Sequence, residues 1–174
     1  MAPLVHLRDA TPDDVPEIIR LIRDLAAYER APDSAVATPV LIRDALFGAE
    51  RVASAVLAEL DSGDGSRIVA GFALWFHNFS TWTGRRGLYL EDLFVRPEYR
   101  GRGIGVALLR HLAALAVARN CARMEWSVLD WNVDAIRFYE QLGARPMDGW
   151  TVYRMTDDAI RTLAEGGRAG GGAG

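Results

Sequence analysis

The chain has 174 residues, half of them hydrophobic and a quarter charged, which is the composition of one ordinary globular domain long enough to bury a real core. Its formal net charge of −3 gives no argument for nucleic acid or an anionic membrane, and no apolar run approaches the ~18–20 residues that span a bilayer. Cys121 is the single cysteine, so no intrachain disulfide forms, and without metal-ligand spacing around it the residue reads as a small apolar filler. The first residues are polar and charged with no signal-peptide pattern, and the expectation is a cytoplasmic protein.

Val5 to Arg8 reads as a short first strand. Thr11-Pro12-Asp13-Asp14 starts a helix: a hydroxyl at the N-cap, proline at the first helical position, and acids facing the positive helix end. Val15, Ile18, Ile19, Ile22, Leu25 and Ala26 then recur at helical spacing, and Tyr28-Glu29-Arg30 closes the stripe. A shorter helix runs from Thr38-Pro39 to about Phe47 and stops at Gly48. Val52 to Leu60 has a strand's length, Asp61 to Gly65 a hairpin's composition, and Ile68 to Phe79 the pattern of the return strand. Ser80 to Gly87 is a polar connection into a strand Leu88–Val95.

A helix follows to about Asn120, then a fifth long strand, Met124–Leu129. Asn132 is a good N-cap for a helix Val133–Leu142, closed by Gly143. Trp150–Met155 reads as a last strand and Asp157–Ala164 as a short helix. Residues 1–165 thus read as a single domain, with 166–174 a glycine-rich tail expected to be disordered. Strands interleaved with helices predict an α/β fold with a mixed sheet. Leu88–Val95, its helix and Met124–Leu129 make one βαβ unit of parallel neighbours.

Within that unit, Arg100-Gly101-Arg102-Gly103-Ile104-Gly105 lies between a strand and a helix. First-turn N–H groups have no partner inside a helix, so a glycine-rich turn at a helix start makes an anion site. Gly101, Gly103 and Gly105 let the backbone take positive φ and approach a phosphate, and Arg100 and Arg102 add charge. A dinucleotide fingerprint fails, because the third glycine position is Val106 or Leu108, and no Gly-Lys-Ser/Thr of a Walker loop is present. A ligand-free glycine turn is the alternative.

This stretch resembles the pyrophosphate loop of the GNAT N-acetyltransferases, pattern Q/R-x-x-G-x-G/A. A second signature agrees: Asn132, Ala135, Tyr139 and Gly143 are in register with the family's N-x-x-A-x-x-x-Y-x-x-x-G segment, though Ala144 stands where many members have Phe. LIRDLAAYE, YLEDLFV, YRGRGIG, DWN and FYEQLGA are similar, in order, to the diamine acetyltransferase branch that includes spermidine/spermine enzymes, over residues 4 to 165. Ser80-Thr81-Trp82 and Leu129-Asp130-Trp131-Asn132 resemble its thialysine-preferring members more, since Ser80 stands where the polyamine enzymes tend to have Asp.

The resemblance implies a mostly antiparallel central sheet flanked by helices, with a parallel pair where acetyl-coenzyme A binds. It implies that Leu93, Phe94, Val95, Arg100, Gly101, Arg102, Gly103, Ile104, Gly105, Val106, Asn132, Ala135 and Tyr139 hold acetyl-coenzyme A, with no metal. The partner is a small-molecule primary amine, and close relatives imply a homodimer with a shared site. For the amine it implies Tyr28, Glu29, Glu91, Asp92 and Asp148; Ser80, Thr81 and Asp130 could read an amino-acid head group, and Trp126, with Trp82, Trp131 and Trp150, could wall a cationic pocket.

Acetyl transfer needs a neutral amine, yet a free alkylamine has a pKa near ~10.4. Glu91 is the implied base, acting through ordered water, with Asp92 beside it. On a regular strand the two side chains point to opposite faces, so both line one pocket only if a bulge intervenes. Tyr139 is the implied acid for the thiolate leaving group, seven residues and two turns after Asn132 on one helix. Main-chain N–H groups of Phe94 and Val95 could steady the thioester carbonyl. Glu91 as a solvated edge acid and Tyr139 as a core residue are the bland alternatives. His6, His77 and His111 form no triad or metal spacing. A non-catalytic acyl-coenzyme A-binding module and an acetyltransferase of protein amines remain open beside the small-molecule enzyme.

Overall fold

The computed structural model describes residues 4–166, so the expected tail beyond Gly166 lies outside the described residues. These residues form two compact units, one through Asp130 and one from Trp131. The first holds β1 (Val5–Asp9), α1 (Val15–Tyr28), α2 (Pro39–Phe47), β2 (Ser54–Asp61), β3 (Arg67–Ser80), β4 (Arg85–Val95), α3 (Ile104–Ala118) and β5 (Met124–Glu125). The second holds α4 (Val133–Gln141) and α5 (Asp157–Ala164). Among the described residues no helix is long and apolar enough to cross a membrane.

The five strands form one sheet in sequence order, antiparallel from β1 to β4 and parallel between β4 and β5. The expected mixed sheet and parallel βαβ pair are therefore present. Ile18, Leu21 and Leu46 from α1 and α2 pack on Ala55, Leu57, Phe72, Leu74 and Phe94 from one sheet face. Trp75, Leu88 and Leu90 of the sheet and Leu108 and Leu112 of α3 are buried on the opposite face, which α3 covers. α1 begins one turn later than Pro12 suggests. A 3-10 turn, Pro12–Asp14, precedes it, and the Asp14 carboxylate accepts from the Thr11 N–H at 2.7 Å and from Arg8 at 2.7 and 2.8 Å. Those Arg8 bonds hold the Asp14 carboxyl well below the usual carboxylate range.

Three expectations are corrected. β5 is two residues long and 126–129 are irregular, where a strand to Leu129 was expected. Its ladder stops at Tyr89↔Glu125, just before a bulge on β4, and a bulge bends its strand away from a neighbour. Residues 150–155 form no strand, and Val152 and Tyr153 are 84% and 92% exposed. β-Branched and aromatic composition describes a fit to a pleated surface, and no ladder takes this segment up in its own unit. The connection after β3 is also shorter than expected, because regular pairing runs on to Ser80↔Arg85 and leaves only 81–84 as the turn.

The β4 bulge is set by pairing with β3. Leu93 lies opposite Ala73 and Leu90 opposite Trp75, so Glu91 and Asp92 together oppose Leu74. Ala73 and Trp75 point to one face and Leu74 to the other, the face of α1 and α2. A second irregularity, between Ala58 and Glu59 against β3, sits beside Gly71, whose backbone lies directly under β4. A Cβ on Gly71 would stand 2.5 Å from the Phe94 carbonyl oxygen. Gly71→Ala should therefore cost about 1–3 kcal/mol of stability through forced backbone shifts. Urea denaturation checks this, and a midpoint equal to the parent's would mean that the strands separate there without strain.

Candidate active site

The bulge puts two carboxyl groups where a regular strand would put one. Glu91 is exposed and Asp92 half-buried, and both oppose Leu74 on the α1 face. Glu29, at the C-terminal end of α1, is half-buried on the same side. Burial, reinforced by the negative charges of Glu91 and Glu29, pushes the Asp92 carboxyl up to about 6. Burial also raises the Glu29 carboxyl above its ordinary value. The bulge that the sequence required for both acids to lie on one face is present. The tuned group is Asp92.

Tyr28, next to Glu29 in the chain, carries Arg100 over its ring. The Arg100 guanidinium carbon lies 4.4 Å from the centre of the Tyr28 ring and 5.7 Å from that of Phe94, and its Nε donates to the Val95 carbonyl at 2.9 Å. Arg100 thus ties the glycine turn to the end of α1, a contact that spacing could not reveal. Arg96 does similar work, with Nη2 2.8 Å from Glu17 and Nε 3.6 Å from Asp24, both on α1. The order Arg96…Arg100 after an apolar strand was the available signal, but both α1 partners are about seventy residues or more away in sequence.

Past Tyr89 no strand among the described residues pairs with the β5 side of β4. The Arg96 N–H bonds the Ala70 carbonyl at 2.9 Å, so antiparallel alternation turns the Phe94 and Asp92 amides towards β3 as well. The amides of Val95 and Leu93 face the open edge. The Phe94 amide, expected as a donor beside Val95, is therefore turned into the ladder with β3. The Phe94 side chain is buried in the core cluster instead.

The glycine turn is built as an anion cradle. Gly101 and Gly103 take φ of 73° and 79°, and a Cβ built on either meets nothing within 4 Å, so their backbone is open to a ligand. Gly103 is the N-cap of α3, with its carbonyl accepting from Ala107 N–H at 2.9 Å. Ile104, Gly105 and Val106 form the first turn, where amides lack helical partners. Gly105 belongs to the helix and needs no positive φ; Ile104 is buried and anchors the turn. Arg102 is exposed, its guanidinium 5.6 Å from the Tyr99 ring centre. These residues fit a diphosphate. Among the described residues no group of three or more His, Cys, Asp or Glu could hold a metal ion.

In the second unit, Asn132 caps α4 as expected, its Oδ1 accepting from Ala135 N–H at 3.3 Å. Tyr139 is half-buried two turns along the same helix, beside Phe138. Asp148 is exposed in an irregular stretch. In the first unit, Trp126 and Asp130 follow β5, half-buried and exposed respectively. Ser80 is buried and Thr81 exposed at the far end of the β3–β4 hairpin. Ser80 pairs with Arg85, six residues before Glu91, so this pair stands about 20 Å along the strand from the acids. One chain does not bring the hairpin tip and the acid cluster together.

Comparison with known proteins gives the family. A family model described as the acetyltransferase (GNAT) family matches residues 18–144. A thialysine N-epsilon-acetyltransferase from Bos taurus is 37% identical over 166 residues, covering 92% of this chain and 97% of that protein. An L-ornithine N5-acetyltransferase from Arabidopsis thaliana is 33% identical over 198 residues, covering 91% and 87%. Among solved structures, an integron cassette protein from the mobile metagenome of V. cholerae superposes with a TM-score of 0.74 at 27% identity, covering 95% of this chain and 99% of its own. With a family model matched over most of its length, an open cradle at the expected turn, and relatives above 30% identity along nine-tenths of it, the chain belongs to the acetyltransferase (GNAT) family and is an acetyltransferase.

Proposed function

We propose that this acetyltransferase moves the acetyl group of acetyl-coenzyme A directly onto a primary amine of a small molecule, with thialysine-like amino acids or short diamines as preferred acceptors. The observation that carries this reading is the cluster of Glu29, Glu91 and Asp92 around the β4 bulge, which attracts an ammonium and holds a carboxyl tuned to accept its proton. Bound acetyl-coenzyme A supplies an acetyl group activated as a thioester. The turn from Arg100 to Val106 holds its diphosphate, and the open-edge amides of Leu93 and Val95 donate to the thioester carbonyl.

At neutral pH Asp92, with its pKa near 6, is mostly ionised, so it can take a proton, and once protonated it is a strong enough acid to release it again at each turnover. Moving a proton from an alkylamine of pKa ~10.4 to such a group costs several kcal/mol at ~1.36 kcal/mol per unit. Removal of the ammonium from water, against Tyr28, lowers that cost. Glu91, exposed beside it, relays the proton to solvent and keeps the Asp92 pKa high. Tyr139 holds a proton at its hydroxyl for the departing sulfur; the signature running from Asn132 to Gly143 supports this role. The likeness to the thialysine and ornithine enzymes supports an amino-acid-sized acceptor.

Four measurements test the reading. A steady-state screen of thialysine, lysine, ornithine, putrescine, spermidine and spermine should rank the amino acids or putrescine above spermine, and a clear spermine preference would overturn that ranking. For the proton path, kcat/KM should rise with pH through about 6 as Asp92 ionises. Asp92→Asn should remove that limb, whereas Glu91→Gln, by deleting a neighbouring negative charge, should move it to lower pH. Loss of the limb in Glu91→Gln would make Glu91 the base, and Tyr139→Phe should cut kcat by ~100-fold or more while leaving coenzyme A binding intact. The homodimer belongs to this reading because Ser80 and Thr81 can serve the acids only from a second copy; light scattering should return the mass of two chains, and a monomer with full activity would exclude it.

A further inference from the structure

The C-terminal end of α3 carries a second concentration of positive charge, about 22 Å along the helix from the glycine turn at ~1.5 Å per residue. Two adjoining cavities of about 410 and 510 Å³ meet there and share His77 and Arg119. Arg51 lines the first, and Arg85 and Arg86 line the second. No carboxylate lines either cavity, although acids outnumber bases in the chain. Elsewhere Arg8, Arg20, Arg67, Arg96 and Arg123 each lie within 4 Å of a carboxylate, whereas among the described residues these four arginines have no such partner. The nearby Glu125 is already taken, accepting from Arg123 and from Asn78, each at 2.8 Å.

Three of the four guanidinium groups are held in place by neutral atoms. Arg51 donates to the Ala53 carbonyl at 3.0 Å and to Ser54 Oγ at 2.7 Å, and Arg85 to Asn120 Oδ1 at 3.2 Å. Arg119 lies 4.9 Å over the Trp75 ring and bonds His77 Nε2 at 3.1 Å. The contact of His77 Nδ1 with the Gly87 carbonyl, at 2.9 Å, requires a proton on Nδ1, because a carbonyl cannot donate. Nε2 is then the acceptor that receives Arg119. The cluster is therefore ordered without being neutralised, and each fork retains N–H groups for an oxyanion. Arginine forks match phosphate oxygens two at a time. The cavities have the size of small-molecule sites, in the range of about 300–1,000 Å³.

We propose that this groove is a second anion site, separate from the glycine turn, which takes a small molecule carrying two or more phosphate groups. Cations distributed over two joined cavities favour such a ligand over a single monoanion.

The test is calorimetric titration of inorganic triphosphate into the full chain saturated with coenzyme A, which fills the glycine turn on the reading proposed above. One triphosphate should bind per chain, more weakly as salt rises. Arg86→Gln/Arg119→Gln should weaken it by at least about tenfold with coenzyme A binding unchanged. Arg86→Gln alone, at an exposed position, should show a smaller loss in a protein that folds as the parent does. Arg102→Gln, on the glycine turn, should leave triphosphate affinity as it was. The proposal is overturned by no binding to the coenzyme A-saturated protein, by affinity indifferent to the double substitution, or by equal loss in Arg102→Gln. A fall from two chains to one in the double variant would also overturn it, making the groove a contact between copies. Should coenzyme A itself fail to bind, the proposed function suffers, and the same titration on Arg102→Gln decides the groove.

Discussion

One extra residue in β4 governs the acid cluster. Because Glu91 and Asp92 together oppose Leu74, a carboxyl group is pressed onto the face where α1 and α2 pack, beside the end of α1. Without the bulge, alternation would send one of the two acids to the α3 face, among leucines, at a large desolvation cost. The same bulge bends β4 away from β5 after Tyr89, which exposes the amides of Leu93 and Val95. A tuned carboxyl and a row of open donors on one strand thus have one geometric cause.

That geometry is braced from outside the strand. Arg96 ties the end of β4 to Glu17 and Asp24 on α1, and its N–H continues the ladder onto Ala70. Arg100 lies over Tyr28 and Phe94 and bonds the Val95 carbonyl, so the glycine turn and the amine side of the site share one guanidinium. Gly71 lets β3 pass close enough under Phe94 for the pairing to persist beside the bulge. Burial alone would leave Asp92 an uncompensated cost to folding. The two acids beside it raise that cost further, a common compromise at sites that bind cations.

The two ends of α3 handle charge differently. At its start, backbone amides and glycines make the cradle, with arginines supplementary. At its end, arginine side chains held by a carbonyl, a hydroxyl, an amide, an imidazole and an indole do the work, and the backbone contributes nothing favourable to an anion. The first pattern is legible as a motif because backbone geometry demands glycine. The second is scattered over four segments between Arg51 and Asn120 and has no linear signature.

The sequence by itself determined the helices, the glycine turn and the order of the sheet, since helical periodicity, Thr38 and Asn132 caps and Gly101–Gly103 are local properties of the chain. It also carried the family, through two signatures whose spacing is preserved. Only tertiary structure decided the bulge, and with it which acid is tuned. Leu88, Leu90 and Phe94 are all buried even-numbered residues, so β4 shows no break in alternation; helices cover both faces, and a shift between them leaves no hydrophobic trace. The same reason explains the strand predicted too long at 126–129 and the one predicted at 150–155 that does not form: composition describes what a segment can pair with, while a ladder needs a partner at the right distance.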